Sequence, residues 1–175
     1  VGDIGQTAQE AIPTPVAEQS DEALLTALFL DRYDALIRFA TAIAGSRHRA
    51  EDAVQDAYAR LFAHPRRLRD RGAADAYLRS AVLNAARSAA RRRPLLHRAA
   101  KPDADLALGV AARRDVVTAL QSLPRREREA VALRYLLDLS ERDTALALRV
   151  SVGAVKGYTS RGLARLADLL GDRDG

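Results

Sequence analysis

The sequence predicts an all-α protein of two small helical domains joined by a flexible linker. Three observations carry this reading. Ala and Leu dominate the 48% of the 175 residues that are hydrophobic, while aromatic residues make up only 5%; that balance favours helix over sheet. Alternating β-branched runs bounded by turn residues are missing. Apolar residues instead recur at three- and four-residue spacing along most of the chain.

Residues 1–20 hold Gly, Gln, Thr and two prolines without periodicity, and read as a disordered acidic tail. The first domain is expected over 21–94. Its first helix starts near Asp21, with Leu24, Leu25, Leu28, Tyr33, Leu36, Ile37, Ala40 and Ile43 at helical spacing and Gly45 at its end. Ser46 can cap a second helix running to about Ala63, which Pro65 stops. A basic loop, "PRRLRDRGAAD", leads to a third helix from about Ala73 to Arg93, with a packing stripe of Tyr77, Leu78, Ala81, Val82 and Ala85. Residues 95–109 read as the linker, long enough to permit two independent bodies.

The second domain is expected over 110–171. Val116, Val117, Leu120 and Leu123 belong to one helix, and Pro124 opens the next, which carries Val131, Leu133, Leu136 and Leu137. Ser140 and Asp143 form a capping-box pattern for a short helix ending at Leu148. "RVS" then connects it to a long helix over 151–170. Two helices joined so tightly form a helix-turn-helix, whose second helix enters the DNA major groove. Arg149 takes the turn position that often holds Gly; a left-handed residue there costs about 1 kcal/mol. The long helix sorts into a packing stripe of Val155, Thr159, Leu163, Leu166 and Leu170, and an opposite stripe of Ala154, Gly157, Tyr158, Arg161 and Arg165, flanked by Lys156 and Ser160.

Charge is unevenly placed. The net +5 divides into −5 over residues 1–45, +9 over 46–101 and +1 over the remainder. The basic middle fits a polyanionic partner. Nearly all of its cations are Arg, whose planar fork suits phosphate and guanine. On the third helix Asn84, Arg87, Ser88 and Arg91 share one face that can hold phosphates and an unpaired base. The second helix differs: Glu51, Asp52, Gln55 and Asp56 form an acidic face, suited to a protein rather than to DNA.

Several classes are excluded or disfavoured. The absence of Cys rules out disulfides and thiolate metal sites. His48, His64 and His97 are scattered without ligand spacing, so neither a metal nor another cofactor is expected. No apolar run approaches a membrane span of roughly 20 residues. The start lacks the basic-then-apolar order of a signal peptide, so the cytoplasm is the expected location. An enzyme acting on nucleic acid would need a carboxylate cluster or nucleophile, and the sequence offers no credible set. A helix-turn-helix regulator of the response-regulator type would need an α/β receiver, against which the helical reading of 21–93 argues.

Taken together, "RAEDAVQDAYARLF", "AYLRSAVLNAARSAARRR" and "LPRREREAVALRYLLDLSERDTALALRVSVGAVKGYTSRGLARL" resemble the extracytoplasmic-function (ECF) family of bacterial RNA polymerase sigma factors, over about 23–170. The resemblance implies a region 2-like and a region 4-like domain. It assigns Asp52, Gln55 and Asp56 to the polymerase β′ clamp helices. It assigns Tyr77, Asn84, Arg87, Ser88 and Arg91 to the opened −10 strand, with the loop from Arg66 to Asp75 cradling a flipped base. It assigns Ala154, Lys156, Gly157, Tyr158 and Arg161 to the −35 duplex. It implies core RNA polymerase, including the β flap, and promoter DNA as partners, an anti-sigma protein as a further partner class, and no catalytic residues. Two departures stand out: Tyr77 is near the place where the family often carries Trp, and Gly157-Tyr158 replaces a common Ser-Arg. Gly157 also costs the helix about 1 kcal/mol relative to Ala.

Overall fold

The structure is a computed structural model that describes residues 16–64, 70–92 and 110–171. Among these residues it contains seven helices and no strand: α1 (Val16–Ala44), α2 (Arg47–Phe62), α3 (Arg71–Arg91), α4 (Val110–Ser122), α5 (Arg125–Tyr135), α6 (Glu141–Leu148) and α7 (Val152–Gly171). The all-α expectation holds. The linker residues 95–109 and most of the tail lie outside the described residues.

Helices α1, α2 and α3 pack on one another. Leu36, Phe39 and Ile43 of α1 meet Val54 and Leu61 of α2 and Leu78, Val82 and Leu83 of α3, all essentially buried. Each such side chain removed from water contributes about 1.5–3 kcal/mol. Phe39, Leu83 and Ala86 extend the core beyond the stripes read from the sequence. In the second half α5 packs on α7 and α6, and α4 packs against α7 and α5. Leu120, Leu123, Leu133, Leu148 and Val155 are among its buried side chains. The two halves also touch, because α1 packs against both α4 and α5. The amide of Gln121 donates to the carbonyl of Ala42 across that contact.

Helix ends follow local chemistry. Gly45 adopts φ 74° and donates its N–H to Thr41 O at 2.8 Å, closing α1. Ser46 takes the extended N-cap position of α2, though its side chain makes no cap hydrogen bond. The Ser140 hydroxyl accepts from Asp143 N at 3.0 Å and donates to the Asp143 carboxylate at 2.6 Å. Both residues of the expected capping box are therefore engaged, but the acid meets the hydroxyl. Between α6 and α7, Arg149 is left-handed at φ 56°, ψ 52°. Val150 N donates to Ala145 O at 3.0 Å, the six-to-one bond of a Schellman end. Ser151 Oγ then accepts from Ala154 N at 3.1 Å and starts α7. Three residues thus suffice for the sharp turn because two caps are built back to back.

Three boundaries differ from expectation. α1 begins at Val16, so residues 16–20 are helical rather than part of a disordered tail. α3 begins at Arg71 because Asp70 caps it, accepting from Gly72 N at 3.0 Å and Ala73 N at 3.2 Å. Arg71 through Asp75 are consequently helical, while residues 65–69 of the expected basic loop lie outside the described residues. Pro124 precedes α5 as its N-cap instead of occupying its first turn.

Candidate protein and nucleic-acid interfaces

Asp52, Gln55 and Asp56 stand on the solvent face of α2, opposite the buried Ala50, Val54, Ala57 and Leu61. Among the described residues the two acids make exposed helical pairs, Asp52 with His48 at 3.2 Å and Asp56 with Arg60 at 4.0 Å. Such pairs are worth well under about 1 kcal/mol and leave the carboxylates available. They border a groove of about 200 Å³ between α2 and α3, lined by Arg49, Ala53, Ala85, Ala89 and Arg92 as well. Small side chains at the three alanines keep the groove open to a partner. On the side of α2 toward α1, Tyr58 is half-buried, its ring centre 5.3 Å from that of Phe29. Burial, reinforced by Asp75, pushes its hydroxyl up to about 12.

The expected strand-binding face of α3 is not uniform. Asn84 and Arg91 are exposed, and Ser88 is half-buried, accepting from Arg91 Nη2 at 2.9 Å. Tyr77 is half-buried against the core. Arg87 is held: its Nε and Nη2 each donate at 2.7 Å to the two oxygens of Glu129 on α5. Glu129 is wholly buried, and Arg125 and Arg126 approach its carboxylate at 3.8 and 3.7 Å. Sequence reasoning missed Glu129. Its signal was its register, four residues before the buried Leu133 and on the same face. At the other end of α3, Asp75 pairs with Arg79 and with Arg32 at 3.5 Å. It braces α3 against α1 rather than lining a loop.

On α7, Val155 is fully buried and Thr159 and Leu166 partly so, as the packing stripe predicts. Leu163 is instead exposed, and Gly162 takes its place against α5. A Cβ on Gly162 would lie 2.7 Å from Val131 Cγ2, so only glycine permits this approach of α7 to α5. Ala154, Gly157 and Tyr158 are half-buried, with Tyr158 packed against the core. Arg161 lies 5.4 Å from the Tyr158 ring centre and donates to Glu127 Oε1 at 3.3 Å. Arg165 Nε reaches the other oxygen of Glu127 at 3.0 Å. Glu127, nearly buried and also missed in the sequence, is thus the post that orients two arginines of the helix. Lys156 is exposed, 3.6 Å from Glu141. Ser151, Val152, Gly153 and Ser160 are exposed around it.

This arrangement offers three surfaces: the carboxylate-bearing face of α2, a polar and basic helix face, and a helix-turn-helix with exposed donors. Among the described residues no group of His, Asp and Glu could hold a metal ion. No described helix is long and apolar enough to cross a membrane.

Known proteins resemble the chain over both of its helical halves. The family Sigma-70 region 2 matches residues 28–94, and Sigma-70 region 4 matches residues 113–166. The RNA polymerase sigma-E factor of Streptomyces coelicolor is 34% identical over 148 residues, covering 82% of this chain and 84% of that protein. The sigma-E factor of Streptomyces antibioticus is equally similar, at 34% over 148 residues and 82% of each chain. The solved structure of CnrH in complex with the cytosolic domain of CnrY is 25% identical, with a TM-score of 0.67 over 91% of this chain and 96% of that one. The sigma factor RpoE of Bartonella quintana, solved with the anti-sigma factor NepR, shares the fold at 24% identity and a TM-score of 0.62, over 87% of this chain and 95% of that one. The chain belongs to the bacterial RNA polymerase sigma factors, in their extracytoplasmic-function group.

Proposed function

We propose that this sigma factor joins core RNA polymerase through Asp52, Gln55 and Asp56, reads the −35 duplex with α7 and captures the opened −10 strand on α3. The observation that carries the proposal is the pair of solvent-facing carboxylates on α2, Asp52 and Asp56, lying beside the basic, amide-bearing face of α3. An acidic surface repels DNA and fits a basic helical partner such as the β′ clamp helices. Asn84, Ser88 and Arg91, joined by Arg87 when it is released, supply phosphate and base-edge donors, and Tyr77 supplies a ring for stacking. Ala154, Lys156, Gly157, Tyr158 and Arg161 place small residues and cations toward the major groove, with the β flap holding the second body.

Strand opening is driven by binding. Capture of unstacked bases offsets an unpairing cost of a few kcal/mol. Attachment of both DNA-reading bodies to one polymerase raises the effective concentration of the second contact. The protein acts without catalysis of its own, in the cytoplasm where the polymerase is. Reconstituted run-off transcription tests this reading. A start-specific product that depends on the chain supports it. No such product with cognate promoter DNA and competent core enzyme overturns it.

A further inference from the structure

We infer that Gly157 sets the base preference of α7 by lacking a side chain: the Arg161 guanidinium folds back one turn into the vacant space, and the pair reads one guanine of the −35 element as a single unit. This rests on the proposed reading of the −35 duplex by α7. A Cβ on Gly157 would lie 3.2 Å from Arg161 Nη1, 3.8 Å from Nη2 and 3.9 Å from Cζ, so the guanidinium fills the place a side chain at 157 would take. At Gly153, one turn earlier on the same face, the nearest atom to such a Cβ is Ser151 Oγ at 4.0 Å. Only the second of these two glycines therefore has an arginine lying over it.

The guanidinium is positioned from two sides. Arg161 Nε donates to Glu127 Oε1 at 3.3 Å, and the Tyr158 ring, itself packed against the core, lies 5.4 Å from Cζ. Nε is thus spent on the protein, while among the described residues no hydrogen bond engages Nη1 or Nη2. These two nitrogens form the end-on fork that matches O6 and N7 of guanine. A fork held in place before binding loses less rotamer freedom when DNA arrives. The sequence departures at 157 and 158 then act together. A serine at 157 would put its hydroxyl in the space the guanidinium uses. An arginine at 158 would set a second cation beside the first, whereas Tyr158 offers a ring face.

Holoenzyme reconstituted from the full chain and core polymerase tests the pair, by retention and sequencing of duplex DNA randomised across the −35 and −10 elements. The unaltered chain selects guanine at one −35 position on the order of tenfold over the other bases. Gly157→Ala displaces the guanidinium and lowers that preference to about twofold at the same position. Thermal unfolding shows no loss of stability in this variant, because Ala favours helix over Gly. Arg161→Lys keeps the charge without the fork and abolishes the same preference. Both changes act through one guanidinium, so the double variant loses no more than Arg161→Lys alone. The pairing is overturned if Gly157→Ala leaves the preference intact, alters a different position from Arg161→Lys, or adds its loss to that of Arg161→Lys. A phosphate contact also overturns it, and appears as Arg161→Lys weakening all retained sequences evenly with the preference unchanged. A run-off product together with a selected −35 sequence indifferent to residues 157 and 161 sinks this inference alone. No run-off product and no selected sequence sink the sigma-factor reading and this inference with it.

Discussion

The carboxylates of α2 and those of α5 have opposite fates. Asp52 and Asp56 leave 64% and 68% of their side chains in solvent, whereas Glu127 and Glu129 leave 9% and none. The difference lies in what arrives from elsewhere in the chain. Among the described residues no cation from another helix pairs with Asp52 or Asp56, and both acids keep most of their side chains in solvent. α5 meets Arg87 from α3 and Arg161 and Arg165 from α7, so its acids become internal counter-ions. An acid on a helix is a docking residue or a structural post according to the guanidinium groups that the fold brings to it.

Removing charge from each side sharpens this contrast. Asp52→Ala combined with Asp56→Ala weakens core polymerase binding by about a hundredfold, or about 2.7 kcal/mol. The same double variant changes stability by no more than about 0.5 kcal/mol; co-purification titrations and urea denaturation check the two halves of the expectation. Glu127→Ala behaves in the opposite manner, costing about 2 kcal/mol of folding stability while core binding through α2 is retained. Its loss also frees Arg161 and Arg165, so duplex −35 affinity falls as their placement becomes less defined. Gly162→Ala costs about 1–2 kcal/mol, because the new methyl group must displace Val131 or push α7 from α5. Thermal unfolding of the variant measures it. Ser140→Ala removes the cap of α6 and costs about 1 kcal/mol, measured in the same way.

The smallest effect is a pH dependence in the first body. Burial holds the Tyr58 proton up to about 12, above its ordinary value of 10.0. The unfolded chain therefore loses this proton first as alkalinity rises. The stabilising contribution is intact below pH 10 and declines as pH climbs toward 12. Tyr58→Phe flattens that part of the stability profile, which denaturation midpoints across the interval report. An unchanged slope would assign the alkaline loss to other groups.

Local pattern alone determined much of this molecule: the helical class, the order of the elements, the end of α1 at Gly45, the Ser140 cap, the left-handed Arg149 turn and the solvent-facing acids of α2. Each depends on residues within a few positions of one another, where periodicity and backbone preference act directly. Tertiary structure decided the rest. Arg87 meets an acid 42 positions away, Glu127 meets Arg161 across 34, and Gly162 rather than Leu163 seats α7 because Val131 stands opposite. Spacing along one helix reports which face is apolar, but it carries no information about the charge or the bulk that another helix will bring to that face. Burial of Glu127 and Glu129 becomes tolerable only when those distant guanidinium groups arrive.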